Sequence, residues 1–389
     1  MIYYKSVIKG FFYKYKPFKE FSKMKNAVIE KKRDSNFELL RIIAMFAIVM
    51  AHQKQHGLWF EPNCEVTFNF LLSRFRLGWL GNILFMMISG YFMANVTFSW
   101  KKVFKLWLEI FTISAGIGLF TYFSKIPVVS TWYDSENYLQ FGFFATAHQA
   151  TIKELIRSFL PTFFANNWFA AAYIVFYFFA PFCAILFNTL TEKQHRNLLF
   201  CMLFFGTIVP FFPKEALFVG DNLFLFMLCF CTADYIRRYD PKILQNTKMN
   251  IILSLALLIF FFCWIAFSYL VLFEKFPVLK NYIDGIENRF TRMNTPTAFL
   301  CGTLIFCVFR QMKIPYNRFI NTVASATFGV YLLHENLLIN KTVWHGIFKL
   351  DNWISSPYLL PYMFFCALVV FIVCTIIELL RKKLFDRLF

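Results

Sequence analysis

Phe37-Glu38-Leu39-Leu40-Arg41-Ile42-Ile43-Ala44-Met45-Phe46-Ala47-Ile48-Val49-Met50-Ala51-His52 is an apolar run with its polar groups confined to the margins. Hydrocarbon offers a backbone no hydrogen-bond partner but itself, so such a run reads as a helix that enters a bilayer. Similar runs recur downstream, beginning near Leu77, Val103, Asn167, Leu198, Leu217, Asn250, Ala298, Thr322 and Leu359. The pattern predicts an all-α polytopic membrane protein of about ten transmembrane helices. The fifth and eighth runs are short, which suits a tilted, broken or re-entrant helix.

Of the 389 residues 59% are apolar and 16% charged, which excludes an ordinary water-soluble core. The net charge of +18 arises from Lys and Arg placed mainly in short tracts between apolar runs, a topology signal rather than a nucleic-acid surface. With the amino terminus inside, the inner segments collect 27 Lys and Arg and the outer segments the other 13. Both termini are therefore expected in the cytoplasm. The expected organisation is a basic cytoplasmic segment over residues 1–36, a transmembrane domain over 37–381 and a short tail over 382–389. The first segment lacks the apolar core and cleavage site of a signal peptide; Tyr13 to Phe21 is a candidate to lie along the membrane surface.

Most of the ten cysteines lie within apolar runs as small hydrophobes, Cys64 alone falling in an outer loop, so neither a disulfide framework nor a zinc site is expected. Two outer loops, Ser124 to Phe164 and Glu274 to Thr297, are too polar to span. The first mixes Trp132, Tyr133, Asp134, Glu136, Asn137, Tyr138, Gln140 and His148, a set of rings and hydrogen-bonding groups that suits sugars or simply an aromatic-rich loop. Thr151 to Leu160 reads as a short amphipathic helix resting on the outer interface.

Ionisable groups inside apolar spans are costly and each asks for a partner or a task. Eleven residues make about three helical turns, so Arg41 and His52 share one stripe, roughly 16 Å apart along the axis. Glu38 shares that face. Arg41 lies toward the inner boundary and His52 in the outer half. The geometry suits a ligand with an anionic head and a long neutral arm, such as a coenzyme A thioester, held by Arg41 and worked on by His52. It also suits a headgroup anchor and an interfacial His, and the pair alone leaves both readings open.

Further features accompany the pair. Gly78, Gly81, Ser89 and Gly90 form a small-residue seam in the second span, and Lys101, Lys102 and Lys105 follow on the inner side, able to grip phosphate or to set topology. Asn166, Asn167 and Trp168 open the fourth span, where they could meet a sugar or anchor the interface. The ninth span carries His334, Glu335 and Asn336 consecutively, and the topology puts His334 at a depth comparable with His52. His52 and His56 stand at i and i+4, but the segment holds no third ligand, so no metal is expected.

Taken together, Arg41 with His52, the Phe85 to Phe92 stretch with Ser89-Gly90-Tyr91, Trp168-Phe169 with Pro181, and Gly329-Val330-Tyr331-Leu332-Leu333-His334 resemble the integral membrane acyltransferases of acyltransferase family 3, which include bacterial polysaccharide O-acetyltransferases. The resemblance runs from Asn36 onward. It implies ten helices in the bacterial cytoplasmic membrane, acetyl-CoA or another acyl-CoA as donor substrate with no resident cofactor, and acyl transfer to a hydroxyl of a cell-surface or lipid-linked polysaccharide. It implies a catalytic His52 and a donor site that includes Arg41. Where the family often carries an arginine pair after the second span, this chain has Lys102 and Lys105. Supporting roles fall to Glu38, which would orient Arg41, and to His334 and Glu335, with Asn167 and Trp168 on the acceptor side. Some relatives append a soluble acyl-receiving domain; the expectation here is that the acceptor enters the membrane domain itself. A transporter or flippase for a glycan or small solute is the rival reading, and a two-fold internal repeat would favour it; none is visible.

Overall fold

The computed structural model describes residues 34–58, 65–75, 77–129, 147–163, 167–211, 222–287 and 289–388. The basic segment before Asp34, Cys64 and the Trp132 to Gln140 cluster lie outside the described residues. The nine described cysteines are unpaired.

The described residues are helical nearly throughout. Helix α1 (Ser35–Gly57) is followed by the short α2 (Phe68–Arg74), then α3 (Gly78–Met93) and α4 (Trp100–Ser124). A two-stranded antiparallel ribbon pairs Pro127–Val128 with His148–Gln149. Next come α5 (Ile152–Ser158), α6 (Trp168–Thr189), α7 (Glu192–Leu203) and α8 (Asn222–Tyr239). Helix α9 (Thr247–Phe267) continues through a wide turn, and α10 (Ile283–Glu287) precedes α11 (Pro296–Gln311). Helices α12 (Arg318–Ser325) and α13 (Thr327–His334) meet at Ala326, and α14 (Leu359–Leu388) closes the chain.

Among the described residues six stretches are long and apolar enough to cross a membrane: Ser35–Gly57, Phe68–Met93, Trp100–Ser124, Trp168–Thr189, Thr247–Lys275 and Leu359–Phe385. They correspond to the expected first, second, third, fourth, seventh and tenth spans. At the other four positions the helices are interrupted, short or charged. Helix α7 passes into a π turn at Phe204–Ile208 and a 3-10 turn at Val209–Phe211. Helix α8 ends in Asp234, Arg237 and Arg238, and α11 has 16 residues, about 24 Å of rise. The ninth region divides into α12 and α13, eight residues each, and the second stops at His334. Many large apolar side chains face outward, among them Phe120, Phe123, Phe182, Ile185, Ile252, Ile259, Ile376 and Leu380, as lipid-facing surfaces require.

Helix α3 is the packing centre, and its small residues explain why. A Cβ on Gly81 would sit 2.6 Å from the Ala44 carbonyl oxygen of α1, and one on Gly90 would sit 2.8 Å from the Phe230 Cα of α8. Backbones therefore approach more closely than any larger residue allows, which is how helices associate in lipid. The expected amphipathic segment is α5, capped by the reciprocal Thr151 and Glu154 bonds, with Ile152 and Ile156 exposed.

Side chain to backbone bonds gather the basic segments at one end of the bundle. Asn36 Nδ2 donates to the Phe309 carbonyl at 2.9 Å, Arg237 to that of Tyr91, and Lys382 to that of Ser325. At the same end the Ser35 hydroxyl oxygen accepts from the Asn317 amide at 2.9 Å and from Asn321 Nδ2 at 2.9 Å. These two bonds pin the starts of α1 and α12 side by side, and both helices then rise in the same direction.

Candidate functional site

From Ser35 to His52 is 17 residues, and from Asn317 to His334 is also 17. Helix α1 and the α12–α13 pair, pinned together at their starts, climb similar heights, about 26 Å at 1.5 Å per residue. Their imidazoles meet there: His52 Nδ1 lies 2.9 Å from His334 Nε2. The depth argument from sequence thus becomes a direct contact.

The protons in this contact follow from its neighbours. His334 Nδ1 lies 2.6 Å from the Val330 carbonyl oxygen, which can only accept, so His334 carries its hydrogen on Nδ1. Neutral His334 then offers Nε2 as an acceptor, and the donor between the rings is His52 Nδ1–H. Neutral His52 is left with an unprotonated Nε2.

Glu335, the next residue after the end of α13, adds a carboxylate. Its Oε1 lies 3.1 Å from His56 Nε2, and its Oε2 lies 3.0 Å from His52 Nδ1. Oε2 completes no hydrogen bond, because the His52 hydrogen points at His334. His334 and Glu335 are 2% and 7% exposed, so the network is almost sealed.

The start of α6 reaches the same place. Phe169 packs its ring 5.5 Å from that of Tyr331, whose ring lies 6.2 Å from that of His52. The Tyr331 hydroxyl lies beside the Asn167 side chain and the Phe169 backbone, without a well-formed hydrogen bond to either, and both Tyr331 and Asn167 are buried. Trp168 is partly exposed and packs on Phe169 and Phe226.

At the other end of α1, Arg41 Nη1 is held by both carboxylate oxygens of buried Glu38, at 3.0 and 2.9 Å, with the guanidinium 5.9 Å from the Phe85 ring centre. Glu38 lies one turn before Arg41 on the same helix and is its ion-pair partner. Lys102 and Lys105 are exposed in the first turns of α4, and no hydrogen bond or ion pair among the described residues engages their side chains.

The structure thus unites His52 with His334, Glu335 and, through Tyr331, Asn167, while Arg41 and Glu38 form a separate pair below. Three participants escaped sequence reasoning. His56 was weighed only as a metal ligand; its role as a donor to Glu335 depends on a residue 279 positions away. Tyr331 stands three residues before His334, a helical spacing that could have placed it on the same face. Arg237, bonded to the Tyr91 carbonyl with its guanidinium 5.5 Å from the Tyr91 ring centre, carried no signal beyond its charge.

Comparison with known proteins yields one family: the model described as Acyltransferase domain matches residues 34–378. No curated protein and no solved structure matches the chain.

Proposed function

Because this chain belongs to the Acyltransferase domain family, we propose that it is a membrane-embedded O-acyltransferase that moves an acyl group, acetyl by expectation, from acyl-CoA to a hydroxyl of a cell-surface or lipid-linked polysaccharide. The observation that carries the mechanism is the His52–His334 contact, which leaves His52 Nε2 unprotonated and fixes its ring. In this reading the amino terminus is cytoplasmic and the coenzyme enters from the basic end. Arg41, already positioned by Glu38, holds its phosphates, with Lys102, Lys105 and Arg237 as further positive charge. The thioester then reaches His52 about 16 Å further along the helix.

His52 Nε2 takes the proton of the sugar hydroxyl as its oxygen attacks the acyl carbon. The imidazolium that forms lies 3.0 Å from Glu335 Oε2, which receives no hydrogen bond in the resting state and stabilises the positive charge as it appears. The carbon–sulfur bond breaks and the coenzyme thiolate recovers the proton from His52. A two-step route, in which Nε2 itself accepts the acyl group and then passes it on, needs the same unprotonated nitrogen. The buried Tyr331 hydroxyl and the Asn167 amide beside it, neither in a well-formed hydrogen bond, are the groups suited to hold the incoming sugar.

The test is incubation of purified protein and its His52→Ala variant with labelled acetyl-CoA and a cell-envelope glycan. Transfer that depends on His52 is expected; equal transfer by both proteins removes His52 from the mechanism. Label retained on the wild-type protein without acceptor identifies the two-step route.

A further inference from the structure

A metal site could not be assembled from α1 alone, but the third ligand that helix lacks arrives from α13. His52 Nδ1, His334 Nε2 and a Glu335 carboxylate oxygen lie within 4.8 Å of one another, and His52 Nδ1 is 2.9 and 3.0 Å from the other two. Ligands about 2.0–2.2 Å from a tetrahedral ion stand a little over 3 Å apart, so small side-chain rotations would admit one.

Two further observations point to an ion rather than to coincidence. Each partner of His52 is already oriented from behind, His334 by the Val330 carbonyl on its Nδ1 and Glu335 by His56 on its Oε1. This is how ligating imidazoles and carboxylates are supported in metal centres. The His334 hydrogen sits on the far nitrogen, leaving its lone pair directed inward, and Glu335 Oε2 is buried without a hydrogen-bond partner. Two imidazoles and one carboxylate with a fourth position open are a donor set of Zn²⁺ sites, and they select it over Mg²⁺ or Ca²⁺.

We propose that His52, His334 and Glu335 form a transition-metal site, selective for Zn²⁺-type ions, whose occupation switches the enzyme off. The switch is a tautomer change. The ion takes the lone pair of His52 Nδ1 and the hydrogen once held there moves to Nε2, so no net proton is lost. A nitrogen that carries hydrogen can neither accept the sugar proton nor receive an acyl group. The inhibitory part rests on the acyltransfer mechanism proposed above; the binding part does not.

The test uses full-length, tag-free, metal-free protein in detergent, titrated calorimetrically with Zn²⁺ and, for a visible spectrum, with Co²⁺. One ion per chain is expected. Affinity should fall about 100-fold or more in His334→Ala and in Glu335→Gln separately. It should hold in His148→Ala, whose imidazole pairs with Glu154 elsewhere. Elution profile and thermal midpoint check that each variant is folded. Absence of saturable binding, or unchanged affinity in a folded Glu335→Gln protein, overturns the site. Zn²⁺ should also abolish acyl transfer, with recovery on adding a chelator; transfer that proceeds at saturating Zn²⁺ overturns the switch. Wild-type protein that binds Zn²⁺ at His334 and Glu335 yet transfers no acyl group with metal removed supports the ion site and counts against the acyltransfer reading alone.

Discussion

Arg41 and His52 share one helix and one face, yet they are held in different ways. The Arg41 guanidinium is paired with Glu38 on its own helix, one turn away, and its side chain is 20% exposed. The imidazole of His52 is held from another helix, by residues 282 and 283 positions away, beside polar atoms that lack partners. A locally satisfied, partly exposed cation is suited to grip a ligand equally throughout a reaction. A buried group beside an unused carboxylate oxygen is suited to a charge that exists only during the reaction. The contrast separates binding from chemistry along one helix.

That separation can be broken at several points. The largest effect is expected from His52→Ala, a loss of about 1000-fold in kcat in steady-state acetyl transfer, since general-base and nucleophilic roles both vanish. Glu335→Gln, which keeps the shape and removes the charge, should lower kcat about 10- to 100-fold and leave the donor KM nearly unchanged. A matched rise in donor KM would instead place Glu335 in ground-state binding. Arg41→Ala should do the reverse, raising the donor KM about tenfold with kcat largely kept; an unaltered KM would take the phosphate role from Arg41. Tyr331→Phe should be the smallest, about fivefold in acceptor KM and nothing in donor KM, as for one lost hydrogen bond.

Sequence reasoning reached the helical class, the small-residue seam and the separate Arg41 and His52 positions because each depends on local pattern: apolar run length, residue size, 3.6-residue periodicity. It reached His334 through the consecutive polar groups His334, Glu335 and Asn336, the Gly329 to His334 motif and a depth comparable with His52, none of which specifies which face of α13 meets α1. That is decided by Ser35 bonding to Asn317 and Asn321, a long-range polar contact with no periodic signature. The runs near Leu198 and Ala298 are short enough to suit a broken or tilted helix, and the first does pass into a π turn after α7, whereas those near Leu217 and Thr322 look like ordinary spans because their apolar content hides the charged end of α8 and the break at Ala326. Lys102 and Lys105 were singled out by charge, and exposure at the start of α4 is as far as the described structure takes them. The rival transporter reading lost ground to the family match over residues 34–378 rather than to any side-chain geometry.

The equal spacing of Ser35 to His52 and Asn317 to His334 ties two distant stretches of the gene together. One residue inserted into α1 above Ser35 would rotate His52 by about 100° and lift it about 1.5 Å, carrying it out of reach of His334. The same insertion above Asn317 would turn His334 away by the same angle, and because both segments rise the same way, a matched pair of insertions would turn the two rings to opposite sides rather than restore the meeting. Lineages of this protein should therefore drift freely in loop length while these two intervals each keep their count.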